Sequence, residues 1–244
     1  MKLATALFVW LLLCGGIAVA QQRVDLQPRP GVTQPIYLTP VNSPKASVIL
    51  FPGGNGIVEQ VRNNFLLRVA PRFAAAGMTV AVFDAPSDQR SGMSSQFRAS
   101  AEHAKDIAAV VDWLKSRSPV PVWLVGTSRG SVSAANGAAT VGPPRIAGVV
   151  LTSSVWLGGM QSVALDRIAV PTLVVHNRDD GCSESPYANA APAVAQLRQA
   201  SVKELVTVAG GMSRSTPCEA RSPHGYFGIE DQVVPPIIAW IGAH

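Results

Sequence analysis

Residues 122–131 read VWLVGTSRGS, a short apolar run that ends in a serine held between two glycines. The apolar, β-branched run 122–125 suits a buried strand, and Ser131-Val132-Ser133-Ala134-Ala135 just after it suits a helix. A chain that turns straight from strand to helix strains the residue at the turn. Bulk two positions before or after it collides across the bend, so Gly126 and Gly130 are needed where they stand. The hydroxyl of Ser128 is then lifted beyond the carboxyl end of the strand, where open α/β sheets form their ligand sites. A chain with 21 glycines also produces Gly-x-Ser-x-Gly by chance, so the motif counts only if other segments supply partners for the serine.

Outward from this turn, β-rich apolar segments recur at 36–41, 47–51, 78–83, 120–125, 146–152, 172–176 and 204–208. Several are unbroken apolar runs, as in strands covered on both faces. Helical spacing lies between them. It is clearest in 97–117, where Ala101, Ala104, Ile107, Ala108, Val111 and Leu114 share one face, and again in 229–241. Strands alternating with helices imply an α/β fold with a mostly parallel central sheet and helices on both faces. Residues 21–31 are polar, hold Pro28 and Pro30, and read as an extended leader. No repeat or composition shift divides residues 21–244, so they read as one domain.

The chain is 48% apolar and 14% charged, which supports a buried core and excludes a disordered class. Residues 1–20 carry Lys2, an apolar run and Ala18-Val19-Ala20 before Gln21, the pattern of a cleaved export signal. An uncleaved anchor is the rival reading, disfavoured by Gly15-Gly16 and the small-residue end. A lipid-bearing Cys14 is disfavoured by bulky Leu13. Export leaves two cysteines, Cys182 and Cys218, and an even pair in an oxidising compartment implies a bridge. A thiolate metal site would want closely spaced ligands, and neither cysteine belongs to a Cys-x-x-Cys pair. The net charge of +5 is spread singly among acidic residues without a basic stripe, so nucleic acid is not an expected partner.

Three further segments give the serine its partners. They are Phe51-Pro52-Gly53-Gly54-Asn55-Gly56 after an early strand, His176-Asn177-Arg178-Asp179-Asp180 at the end of a late one, and Pro223-His224-Gly225-Tyr226-Phe227 before the last helix. With them the chain resembles the α/β-hydrolase superfamily over nearly all of residues 48–240, in its dienelactone-hydrolase and small-esterase branches. The resemblance implies Ser128 as nucleophile, His224 as base and Asp180 as orienting acid, in the chain order serine, acid, histidine that the fold uses. It places an oxyanion hole at the backbone amides of Gly54 and Arg129 and asks for no metal or cofactor. Asp179 competes for the acid role, and Asn177 stands where the family has glycine. A bridge between Cys182 and Cys218 would then tie the acid loop to the histidine loop.

Other polar residues have plainer readings. His103, beside Glu102, is expected on a solvated helix face, His176 as a hydrogen-bonded neighbour of the site, and His244 as the terminus. Asp84 and Asp88 are expected to shape a loop, and the Arg129 side chain is expected in a surface ion pair, with attraction of an anionic substrate group as the alternative. Only residues 155–170 stand where relatives insert a helical lid, so an open site is expected. Trp156, Leu157 and Met160 either line an acyl pocket or pack in the core. The expected activity is hydrolysis of small or surface-displayed carboxylic esters by an exported enzyme with no stable membrane association. The alternative is a non-catalytic protein that uses the same fold to bind a ligand.

Overall fold

A computed structural model describes residues 21–244; the expected export signal lies outside the described residues. The strands are β1 (Gln22–Arg29), β2 (Val32–Thr39), β3 (Ala46–Phe51), β4 (Met78–Phe83), β5 (Val122–Thr127), β6 (Gly148–Thr152), β7 (Thr172–Asn177) and β8 (Lys203–Val208). They form one sheet in the order β1-β2-β4-β3-β5-β6-β7-β8. Neighbours from β4 to β8 are parallel, while β2 runs antiparallel to both β4 and β1.

Every residue of β3 through β7 is buried. The reason lies in the crossovers, which lay helices on both faces and remove the solvent side that would otherwise demand polar alternation. On one face α1 (Phe65–Ala75) brings Leu66, Val69 and Phe73, and α6 (Glu230–Ala243) brings Val233, Ile237 and Trp240. On the other, α3 (Ala101–Arg117) brings Ile107, Val110 and Leu114, and α4 (Gly130–Thr140) brings Ala134, Ala135 and Ala138. Each large apolar side chain fully buried this way contributes roughly 1.5–3 kcal/mol. The small residues of α4 let its backbone lie close on the sheet, which seats the turn at Ser128.

Three expectations need correction. Residues 22–29 are an edge strand and not a leader: Val24 and Leu26 pack on the core, and Arg29 forms ion pairs with Asp88 and with Asp106 of α3. The helix expected over 97–117 is broken at Ala99 into α2 (Ser95–Arg98) and α3, with Ser100 capping α3 by accepting from the amide of His103. His103 is fully buried and not solvated. Its ring packs against Phe51, Phe83 and Phe97, and burial holds it well below the ordinary histidine range.

Residues 155–170 carry only two single 3-10 turns, Met160–Ser162 and Leu165–Arg167. Trp156, Met160, Leu165 and Ile168 are core residues, and Leu157 is exposed. No helical lid forms there. Among the described residues, no helix is long and apolar enough to cross a membrane. A short helix, α5 (Ala190–Gln196), precedes β8.

Candidate active site

Ser128 sits between β5 and α4 with φ 53°, a left-handed conformation that side chains rarely adopt. Its amide donates to the Thr152 carbonyl (3.0 Å), and its carbonyl accepts from the amide and hydroxyl of Ser131 (2.9 and 2.6 Å). These bonds hold a backbone state that costs on the order of 1–3 kcal/mol. The flanking glycines are demanded by close approach. A Cβ on Gly126 would overlap the Gly130 carbonyl, and one on Gly130 would overlap the Phe51 carbonyl. A Cβ on Gly53 would lie 2.7 Å from the Cβ of Ser128, so the loop after β3 also runs against the serine.

The three side chains named from the sequence converge. Ser128 Oγ lies 2.9 Å from His224 Nε2, and His224 Nδ1 lies 2.8 Å from Asp180 Oδ2. Both His224 and Asp180 have nearly or fully buried side chains. Asp180 Oδ1 accepts from the Cys182 amide (2.9 Å), which leaves Oδ2 for the imidazole. Asp179 faces elsewhere: its carboxylate accepts from the Gly210 amide (2.7 Å) and pairs with Arg178 (3.6 Å). Asp180 is therefore the aspartate that the histidine meets.

The histidine loop is held by side chains that sequence reasoning missed. Ser153 Oγ donates to the His224 carbonyl (2.6 Å), and the Ser153 amide donates to the Tyr226 hydroxyl (2.9 Å). That hydroxyl in turn donates to the Val175 carbonyl (2.7 Å), and burial pushes its pKa well up, which keeps it a donor. Asn177 Nδ2 donates to the carbonyls of Gly210 and Pro223, 2.9 Å each, so the residue standing where the family has glycine ties the end of β7 to the histidine loop. Ser185 Oγ donates to Asp180 Oδ2 (2.7 Å) and lies 2.9 Å from His224 Nδ1. His176 is the neighbour expected, donating from Nε2 to the Ser185 carbonyl (2.9 Å), and burial holds its pKa below the ordinary range.

The amide of Arg129 opens α4, and the amide of Gly54 lies in the loop that crosses the serine. Among the described residues neither amide donates to a backbone acceptor. The Arg129 side chain pairs with Glu184 at 3.2 Å, both partly exposed, an arrangement worth little in water. Cys182 and Cys218 form a disulfide that joins the loop carrying Asp180 to the segment before His224. A cleft of about 410 Å³ opens beside the serine, lined by Gly53, Gly54, Val61 and Phe65 on one side and by Cys218, Ala220 and His224 on the other. Trp156, Leu157 and Met160 are not among its lining residues: Trp156 and Met160 pack in the core, and Leu157 is exposed.

No protein-family model and no curated protein sequence matches the chain. Solved structures do. A dienelactone hydrolase from Anabaena variabilis ATCC 29413 is 19% identical with TM-score 0.66, covering 92% of this chain and 98% of that one. A cold-adapted esterase from an Arctic intertidal metagenomic library is 17% identical with TM-score 0.63, covering 93% and 98%. Est1E from Butyrivibrio proteoclasticus, bound to ferulic acid, is 18% identical with TM-score 0.64, covering 86% and 96%. Sheet order, crossovers and these likenesses agree that the chain has the α/β-hydrolase fold.

Proposed function

We propose that the protein is an exported serine hydrolase that cleaves carboxylic esters through an acyl-enzyme on Ser128. The observation that carries this reading is the continuous chain from Ser128 Oγ through the His224 ring to Asp180, with spacings of 2.9 and 2.8 Å. His224 Nε2 takes the hydroxyl proton as Oγ attacks the ester carbonyl, and Asp180 fixes the ring so that Nε2 is the free nitrogen. The carbonyl oxygen becomes an anion in the tetrahedral intermediate, and the amides of Gly54 and Arg129 donate to it; losing one such donor costs about 3 kcal/mol in comparable sites. As the intermediate collapses, the protonated His224 gives its proton to the departing alcohol oxygen. Water then enters and attacks the acyl carbonyl as it gives a proton to the same nitrogen, and His224 returns that proton to Ser128 Oγ as the C–Oγ bond breaks and the acid leaves.

An open cleft without a helical lid supports small or surface-displayed esters. The esterase and dienelactone-hydrolase names of the structural neighbours support the same reaction class. The disulfide supports export, because such bridges persist in oxidising compartments. The test is labelling with a fluorophosphonate probe and turnover of short p-nitrophenyl esters, each compared with Ser128→Ala. Labelling and turnover that vanish in the variant are expected. If wild type neither labels nor turns over, a non-catalytic ligand-binding protein is the better reading. Activity that survives Ser128→Ala but is lost on chelation would point to metal chemistry.

A further inference from the structure

The break between α2 and α3 turns Arg98 inward, where it is fully buried. Its Nη1 donates to Ser133 Oγ on α4 (2.9 Å), and its Nη2 reaches the carbonyls of Pro52 (3.3 Å) and Gly54 (3.4 Å). Its own carbonyl accepts from Asn136 Nδ2 (3.0 Å), a second tie to α4. Among the described residues no carboxylate pairs with the guanidinium, and Nε has no hydrogen-bond partner. Gly56 makes the space: a Cβ there would overlap Nη2 and lie 2.5 Å from the Met93 methyl. Burial, and then the charge of Arg129, pull the guanidinium down to about 9, so it still carries its proton at neutral pH.

A buried charge is normally paired, because desolvating it alone is costly. Arg98 is met only by carbonyls and a hydroxyl, and their placement matters. The carbonyls of Pro52 and Gly54 flank the Gly53–Gly54 peptide, whose N–H is the first oxyanion donor of the proposed mechanism. Ser133 belongs to α4, and Arg129, the residue that caps the start of that helix, carries the second donor amide.

We propose that Arg98 is a positioning residue of the oxyanion hole: one guanidinium clips the Gly53–Gly54 peptide to α4 and places an unneutralised positive charge behind the two donor amides. The proposal rests on the reading of those amides as oxyanion donors. Pre-set donors gain value because they need no reorganisation when negative charge develops, and a nearby fixed cation adds to that field. Arginine suits the task, since its planar fork reaches two elements at once.

The test uses wild type, Ser128→Ala, Arg98→Met, Arg98→Lys and Ser133→Ala. It measures fluorophosphonate labelling, kcat and KM on a p-nitrophenyl ester, the affinity of phenylboronic acid (which forms an anionic tetrahedral adduct on the serine), and thermal midpoint. Arg98→Met is expected to lower kcat on the order of 10²-fold with KM nearly unchanged, and to weaken the boronate in parallel. Arg98→Lys keeps the charge without the fork and should fall between. Ser133→Ala should lower kcat by about fivefold, since it removes one hydrogen bond of the clip. A boronate affinity that does not move while kcat falls, or kcat unchanged in both Ser133→Ala and Arg98→Lys, would overturn the proposal, even if Arg98→Met fails to fold. Labelled wild type with unimpaired Arg98 variants defeats this proposal alone. Unlabelled wild type defeats the hydrolase reading and the proposal with it.

Discussion

Two aspartates stand side by side at the end of β7, and a few ångströms separate their fates. Asp180 is buried against His224, whereas Asp179 is half-exposed and bonded to the Gly210 amide. Asp180→Asn should lower kcat on the order of 10³- to 10⁴-fold, because the amide can no longer fix the ring tautomer. Asp179→Asn should cost less than about tenfold, since it disturbs only a loop hydrogen bond. Steady-state kinetics on one ester decides between them, and the reverse order of effects would move the acid role to Asp179. Ser185→Ala makes a finer test. It removes a hydroxyl that donates to the carboxylate oxygen the imidazole also uses, and a hydrogen bond to a charged group is worth about 1.5–3 kcal/mol. A loss of about tenfold in kcat or more at unchanged KM is expected, with a thermal midpoint that stays close to wild type. At this scale the meeting of Ser128, Asp180 and His224 was legible because glycine spacing marks the serine and the family resemblance points to the other two. Ser185, Ser153 and Tyr226 were not, since a hydroxyl in a loop looks the same in sequence whether it faces solvent or a carboxylate.

Elements carry the site as much as residues do, and the ends of the sheet differ in how plainly the sequence marks them. The central strands announce themselves by unbroken apolar runs, while β1 spells QRVDLQPR and its apolar positions, Val24 and Leu26, alternate with charge. That period-two alternation is the signal of a half-buried edge strand, outweighed on reading by Pro28 and the polar composition. What holds β1 down is Arg29, whose guanidinium meets the fully buried carboxylate of Asp106 at 2.7 Å. Arg29→Ala leaves that carboxylate without a cation, and breaking such a pair costs about 3 kcal/mol in urea unfolding at neutral pH. Burial already raises the Asp106 pKa and Arg29 opposes it, so the variant should lose less stability in acid, where the carboxyl can protonate. The disulfide acts on the other side of the molecule, closing a loop with a sequence separation of 36 between the acid and histidine segments. Reduction, or Cys182→Ser with Cys218→Ser, should cost up to about 4 kcal/mol on the chain-entropy model. It should also lower kcat, because the two loops it joins carry Asp180 and His224. Full activity after verified reduction would leave the bridge a purely stabilising role.

For the molecule as a whole, alternation of strand and helix predicted the layered architecture, and the two core clusters on opposite faces of the sheet bear it out. A single helical period across 97–117 concealed the break that buries both Arg98 and His103, because periodicity reports a face and not a kink. His103 then sets a response of the entire fold to acid. Its ring lies among three phenylalanines with neither nitrogen hydrogen-bonded to protein, so the folded chain resists protonating it, whereas the unfolded chain protonates near its ordinary value of 6.5. Below that pH the unfolded state binds the extra proton and stability falls, by up to about 1.4 kcal/mol per pH unit for each such histidine. His176, also lowered by burial, adds in the same sense, moderated by its carbonyl bond and by Asp180. Asp106, with its raised pKa, opposes them from its folded value down to the ordinary carboxylate value of 3.8, and because it is present in both proteins a comparison with a His103 variant between pH 6.5 and about 5 isolates the histidine. His103→Leu keeps an apolar side chain of similar size in the phenylalanine cage and removes the titrating group. Urea unfolding across that interval should give a slope of stability against pH that is markedly shallower in the variant than in wild type. Equal slopes in the two proteins would mean that His103 takes up its proton without leaving the fold.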